Sequence, residues 1–224
     1  GNPFCQHEVD DASIPKVPSN SYTLNHVLGQ GASGVISHAT WENSQFPFPK
    51  EVAVKVFKGE VTSDGYPQDE LDCCLRAGEQ EYLIKVVAKL DQKDVKKTLG
   101  LVMELIPSHF YNLGLPPSLV TCTRDTFNPG TLLEISSIRK IAAQMTDAMK
   151  QLHNNGISHG DIYAHNIMIN KEDDVLFGDF GAATNLRSLP SRQQKAMERI
   201  EVRAFGCLLD DLLQLSPLES KNVN

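Results

Sequence analysis

Three things are missing from this chain, and each narrows what it can be. No apolar run approaches the roughly 20 residues of a membrane-spanning helix, and Gly1-Asn2-Pro3-Phe4 lacks a basic stretch followed by an apolar one. Neither a span nor a secretory signal is therefore expected. Basic runs are absent too. Lys and Arg number 21 against 28 Asp and Glu, giving a net charge of −7, which argues against a nucleic-acid backbone binder. Lys93, Lys96 and Lys97 are interleaved with Asp91 and Asp94 and read as a solvated turn. Cysteine is scarce and odd in number: Cys5, Cys73, Cys74, Cys122 and Cys207, with no C-x-x-C spacing. A disulfide framework or zinc site is not expected, and a reducing compartment is. Cys73 and Cys74 are adjacent and should diverge on a helix. No internal repeat is present.

What is present suits a globular chain: 41% hydrophobic and 22% charged residues in 224, enough for one core or two small lobes. Residues 1–20 hold Pro3, Pro15 and Pro18 and read as a flexible arm. From Ser21 the texture becomes strand-like, over 22–28, 35–41 and 51–57. A short helix is expected over 68–77, stopped by Gly78, then apolar strands over 82–87 and 99–106. Residues 107–133 are rich in Pro, Gly, Ser and Thr and read as a long loop, which is usually functional or replaces an element. Ser136 or Ser137 should cap a helix carrying Ile138, Ile141, Ala142, Met145, Met149 and Leu152, ended by Gly156. A hairpin over 167–169 and 175–177 follows. The last helix is placed at 196–214, with an apolar stripe of Val202, Phe205, Leu208, Leu209, Leu212 and Leu213. Strands with one helix, then helices with a small hairpin, predict two lobes around a cleft.

Four motifs carry chemistry. Gly29, Gly31 and Gly34 form G-x-G-x-x-G between strands, where missing Cβ atoms let backbone N–H groups approach phosphate oxygens. A strand rather than a helix follows, which disfavours a dinucleotide fold. Lys55, in Val52-Ala53-Val54-Lys55, is a cation for phosphate oxygens if a carboxylate holds it, and Glu70 on the short helix is the candidate. His159-Gly160-Asp161, four residues, then Asn166, precede the hairpin and Asp179-Phe180-Gly181. Phosphoryl transfer needs a carboxylate near the attacking hydroxyl, Asp161, and oxygen ligands for magnesium, Asn166 and Asp179. The four motifs occur in one order on the appropriate element types.

These residues resemble the protein-kinase superfamily from about Ser21 to Leu215. The resemblance implies an α+β, bilobal kinase-like fold: an arm over 1–20, a β-rich N-lobe with hinge over 21–106, and a truncated helical C-lobe over 107–224. It implies ATP and Mg2+ as cofactors. Gly29, Gly31 and Gly34 would cover the phosphates, Lys55 would contact them while paired with Glu70, Asp161 would be the catalytic base, and Asn166 and Asp179 would hold the metal. Met103 falls at the gatekeeper position, and Glu104 to Ile106 at the hinge that binds adenine. Glu201 stands where the family usually has Asp and is expected to brace the catalytic loop.

The chain also departs from the family. Gly160 replaces the usual Arg, so activation through a loop phosphate by that route is not expected. Tyr163 replaces the usual Lys, with His165 as one possible substitute and a surface histidine as the other reading. Only 19 residues separate Gly181 from Glu201, and no Ala-Pro-Glu follows. The chain stops 45 residues after Asp179, which leaves no sequence for distal C-lobe helices. This build resembles the minimal type III-secreted effector kinases of plant-associated bacteria, the HopBF family. That resemblance implies delivery into a host cytoplasm, and a host protein as partner and acceptor, the ninety-kilodalton heat-shock chaperone, phosphorylated on serine. A monomer without nucleic-acid or membrane partners is expected. Two other readings stay open: a small-molecule phosphotransferase of the aminoglycoside type, and a nucleotide-binding pseudokinase.

Overall fold

The computed structural model describes residues 14–31, 33–59, 65–91 and 99–217. Most of the expected arm, Cys5, and the lysine turn at 92–98 lie outside the described residues. The chain forms two compact units. One runs to Gly78 and resumes over Lys85–Leu105; the other takes Glu79–Ile84 and continues from Ile106. With a sheet dominating one and helices the other, this is the α+β, two-lobed kinase-like architecture expected.

The first unit is a six-stranded sheet. Its strands are β1 (Lys16–Val17), β2 (Tyr22–Gln30), β3 (Gly34–Trp41), β4 (Glu51–Phe57), β5 (Val86–Leu90) and β6 (Gly100–Glu104), in the order β1-β5-β6-β4-β3-β2. Residues 16–17 thus join the sheet, pairing in parallel with β5, and Val17 is fully buried. Alternation explains the core. Val52 and Val54 of β4 meet Ala39, Ala88, Leu90 and Val102 on one face, with Trp41 closing it. Each valine or leucine among them removed from water contributes about 1.5–3 kcal/mol. Helix α1 (Pro67–Ala77) starts on a proline at its first position and stops at Gly78, whose φ is +74°. Both Cys73 and Cys74 are buried on it. Burial pushes the Cys73 thiol up to about 12, which leaves no thiolate for redox chemistry at neutral pH.

The strand expected over 82–87 is split. Ile84 N–H donates to Phe177 O and Phe177 N–H donates to Tyr82 O, so residues 82–84 dock on the second unit, and β5 begins only at Val86. In the second unit α2 (Ile135–Asn154) begins one residue after Glu134, earlier than a Ser136 cap would place it, and no side chain caps it. It ends where Gly156 takes φ +73°. β7 (Tyr111–Asn112), β9 (Ile167–Ile169) and β10 (Val175–Phe177) form one small sheet, in the order β10-β9-β7, and β8 (Ile157–Ser158) pairs with β11 (Thr184–Asn185). β7 lies inside the segment read as loop.

Helix α3 (Ser191–Leu213) starts five residues before the expected 196, because its first turns, Ser-Arg-Gln-Gln-Lys, show no apolar period. Its stripe also differs. Leu208 and Leu212 are buried, but so are Glu201 and Asp211, while Val202 and Leu213 stay exposed. Acids sit on the inner face because each finds hydrogen-bond donors there, Gly160 N–H and Ser158 Oγ for Glu201 and the Arg124 guanidinium for Asp211. Among the described residues no helix is long and apolar enough to cross a membrane.

Candidate active site

In the first unit, the strand register explains the lysine. Lys55 pairs across with Ile36 on one side and Leu101 on the other. Its Nζ reaches Glu70 Oε1 of α1 in an ion pair with both side chains buried. Glu70 Oε2 is buried without a hydrogen-bond partner among the described residues. A buried carboxylate of this kind is stabilised only by its cation. The ammonium also sits 5.1 Å from the centroid of the Phe57 ring.

The glycine loop is built differently at each position. A Cβ on Gly34 would lie 2.4 Å from Val56 O, so packing alone requires glycine there. Nothing lies within 4 Å of a Cβ on Gly29 or Gly31, so their backbones are approachable by a ligand. Gly31 N–H donates to Gly34 O (3.0 Å), and Lys58 Nζ donates to Gly31 O (2.8 Å), which ties the turn to the end of β4. Glu104 N–H is occupied by Lys85 O (2.9 Å), so it cannot donate to a base. Ile106 opens the longer stretch of the second unit and is half-buried.

In the second unit, Asn166 Nδ2 donates to Asp161 Oδ2 (2.7 Å) and Asp161 O (3.1 Å). Asp161 is partly exposed, and its Oδ1 has no hydrogen bond among the described residues. The Asn166 amide therefore faces Asp161 with its nitrogen and leaves its own oxygen unused. Asp179 adopts a left-handed backbone, φ +61° and ψ +78°, and its Oδ1 accepts from Gly181 N–H at 3.4 Å. Asp is one of the few residues besides glycine that visits that region, and such backbones cluster at functional sites.

His159 is the residue whose part the sequence did not disclose. Its ring is fully buried, stacked 4.1 Å from Phe177 and tilted against Phe180. Nε2–H donates to Gly178 O (2.8 Å) and Nδ1 accepts from Asp161 N–H (3.3 Å). One donor and one acceptor define a neutral imidazole with the proton on Nε2, and burial pushes its pKa below the ordinary range. The ring thus links the residue before Asp179 to the backbone of Asp161.

Glu201 of α3 meets the expectation of a brace. Its Oε1 accepts from Gly160 N–H (2.8 Å) and Ser158 Oγ (3.2 Å), and Oε2 pairs with His153. Gly160 is where the structure excludes a side chain. At φ +82°, a Cβ would lie 2.4 Å from Ala182 O. The missing arginine is thus a backbone requirement of this loop. Tyr163 and His165 rings lie 5.8 Å apart, and His165 Nε2 is 3.7 Å from Asp161 Oδ2.

The His153–Glu201 pair has a pH signature. The hydrogen bond to Glu201 raises the His153 pKa against the effect of burial. Burial would push Glu201 up, but the His153 and Gly160 hydrogen bonds outweigh it and hold the carboxyl below its usual range. The His153 contribution is complete below about pH 6.5 and fades as pH rises through the raised value. The Glu201 contribution is present above about pH 4.3 and is lost on acidification. The melting-temperature deficit of His153→Asn should therefore be larger at pH 6 than at pH 9. A deficit constant across that range would contradict the ion pair.

Magnesium fits the residues present. Among the described residues no three His, Cys, Asp or Glu side chains form a cage. Magnesium needs none, because it is held by one or two carboxylates with substrate phosphates and water. The unused Asn166 oxygen and the Asp179 carboxylate are hard oxygen donors of that kind.

Residues 22–201 match the family described as "Protein kinase domain". The chain belongs to that family, whose members transfer phosphoryl groups and whose domain implies ATP and a divalent metal. It is similar to "Tyrosine-protein kinase receptor TYRO3" of Mus musculus, 24% identical over 200 residues, covering 88% of this chain and 22% of the receptor. It is also similar to "Probable serine/threonine-protein kinase glkA" of Dictyostelium discoideum, 26% identical over 223 residues, covering 92% of this chain and 42% of that protein. A third relative is "Activated Cdc42 kinase-like" of Drosophila melanogaster, 26% identical over 172 residues, covering 76% of this chain and 12% of the relative. The chain thus spans less than half the length of each.

Proposed function

We propose that the chain is an ATP-dependent serine/threonine protein kinase whose acceptor is a protein hydroxyl, and whose role is that of a minimal effector kinase. The observation that carries the transfer is the Asp161–Asn166 pair. Asn166 Nδ2 fixes one oxygen of the Asp161 carboxylate, and the other has no hydrogen bond among the described residues. That free oxygen takes the proton from the attacking hydroxyl as the new O–P bond forms and the bond to the departing ADP oxygen breaks. Lys55, held by Glu70, pairs with phosphate oxygens of the nucleotide, and the backbone of Gly29, Gly31 and Gly34 covers them. Glu104 and Ile106 place the base through the backbone; with the Glu104 N–H occupied, its carbonyl is the group that serves. Asn166 and Asp179 would hold the metal. Magnesium held there would supply charge neutralisation at the phosphate oxygens.

Support for serine or threonine comes from the resemblance to minimal effector kinases and from the Dictyostelium relative. The receptor relatives make tyrosine the competing outcome. The resemblance to the HopBF group supports a host protein as acceptor, with the ninety-kilodalton heat-shock chaperone the first to test, and action in a host cytoplasm. Gly160 supports activity without a loop phosphate, since an arginine to receive it is sterically excluded.

The test is phosphatase-treated chain with labelled ATP, offered purified chaperone, a eukaryotic lysate and an aminoglycoside in parallel, with Asp161→Ala as control. Phosphoserine or phosphothreonine on a protein is expected from the wild type alone. Phosphotyrosine, or label on the aminoglycoside only, would overturn the acceptor assignment.

A further inference from the structure

The segment read from sequence as a long loop is hydrogen-bonded onto the turn between Asp161 and Asn166. Leu113 N–H donates to Ile167 O (2.8 Å) and Gly114 N–H donates to Ala164 O (3.0 Å). Asn112 Nδ2 donates to His165 O (2.7 Å). The approach is close enough that a Cβ on Gly114 would lie 2.6 Å from Ala164 Cβ and 3.1 Å from His165 N. Ala164 itself is fully buried. Its N–H donates to Asp125 Oδ1 at 2.7 Å.

Asp125 is held in its turn. Its N–H donates to Asp211 Oδ2 (3.2 Å). The neighbouring Arg124 guanidinium grips the same carboxylate through Nε (2.8 and 3.0 Å) and Nη2, and reaches Asp210 Oδ2 (2.7 Å). Asp211 is one of the two acids on the buried face of α3. A chain of hydrogen bonds therefore runs from α3 through Arg124 and Asp125 to Ala164. Burial pushes the Asp125 carboxyl above its usual range, while the Ala164 N–H draws it back down.

We propose that Asp125 is a positioning residue for phosphoryl transfer, holding the turn that fixes Asp161 against Asn166. Ala164 lies between them in the chain. Tyr163 N–H donates to Asp161 O (3.1 Å) and Asn166 N–H donates to Tyr163 O (3.0 Å), so a shift of Ala164 moves both functional side chains. Leu113 and Gly114 tie the turn through backbone groups, whereas the Asp125 tie is made by a side chain that substitution can remove. The claim to act on transfer rests on the kinase reading above; the tether itself does not.

The experiment combines amide hydrogen exchange at Ala164 with steady-state kinetics on the full chain. Asp125→Ala should speed exchange of the Ala164 amide at least about tenfold and lower kcat about 10- to 100-fold, with KM for ATP within about twofold. Asp125→Asn keeps an acceptor oxygen and should restore both readouts to within about threefold of wild type. Should Asp125→Ala lose its circular-dichroism signal, Asp125→Ser is the second deletion and carries the same expectation. Wild-type exchange in the deletion variant, or Asn behaving as badly as Ala, overturns the proposal. So does faster exchange with kcat unchanged. A wild type with a protected Ala164 amide and no transfer to any acceptor would remove the kinase reading and the catalytic part of the claim, leaving the tether in place.

Discussion

Lys55→Met will lose transfer and stability together, and a second substitution at Glu70 will return only the stability. Lys55 is 7% exposed and Glu70 4%. Removing the ammonium leaves a carboxylate buried and unpaired, and Glu70 Oε2 already lacks a hydrogen-bond partner among the described residues. The cost of breaking such a pair is about 3–5 kcal/mol. Lys55→Met with Glu70→Leu replaces both charges by apolar groups, a change that is often neutral or stabilising. Chemical denaturation should thus rank the double variant near wild type and Lys55→Met well below it. Transfer should fall about 10²–10³-fold in both, the usual loss when a group stabilising transition-state charge is removed. Activity returning with stability would show that the lysine serves the fold alone.

Asp179 calls for a different pair of substitutions, because it has a backbone role as well as a carboxylate. At φ +61°, Asn is tolerated nearly as well as Asp, whereas Ala is not. Asp179→Asn should keep the melting temperature close to wild type, and Asp179→Ala should lower it. Both should lose transfer by more than about 10²-fold, since Asp179 is the one carboxylate assigned to the metal and neither Asn nor Ala replaces its negative charge. Magnesium-dependent nucleotide binding, followed by fluorescence, should weaken equally in the two variants. An Asp179→Asn chain with full transfer would assign the residue to the turn and not to the metal.

Much of the fold was legible because its elements announce themselves locally. β4 alternates cleanly and carries β-branched residues, and its limits at Glu51 and Phe57 match the expectation. The hairpin of β9 and β10 was equally plain. What was hidden depends on tertiary partners. The strand over 82–87 looked continuous because Tyr82 to Val87 is mostly apolar, yet residues 82–84 bond to Phe177 and regular strand begins only at Val86. The α3 stripe misled because Glu201 and Asp211 look like solvent-facing acids. Partners distant in sequence bring them inside: Gly160, Ser158 and His153 for Glu201, and Asp125 N–H with the Arg124 guanidinium, 87 residues away, for Asp211.

The candidate site divides in the same way. Lys55 and Glu70 are brought together by sequence-local elements, and Asp161 and Asn166 by a five-residue turn, so spacing was sufficient to name them. His159 was visible as a letter in the motif. Its role needed Gly178 and the neutral tautomer that the carbonyl imposes. Asp125 gave no sequence signal, because a lone Asp in a Pro- and Gly-rich stretch reads as a turn residue. Gly160 looked like a lost arginine. The Ala182 carbonyl shows it to be a position where the backbone leaves no room for one.

The account stands on Asp161 as the group that receives the proton during transfer. Incorporation of labelled phosphate by wild type and by Asp161→Ala, at matched folding and matched nucleotide binding, tests it most directly. A fall of about 10²–10⁴-fold is expected for loss of a general base, with the Ala variant still melting near wild type. Equal incorporation by the two chains would contradict it.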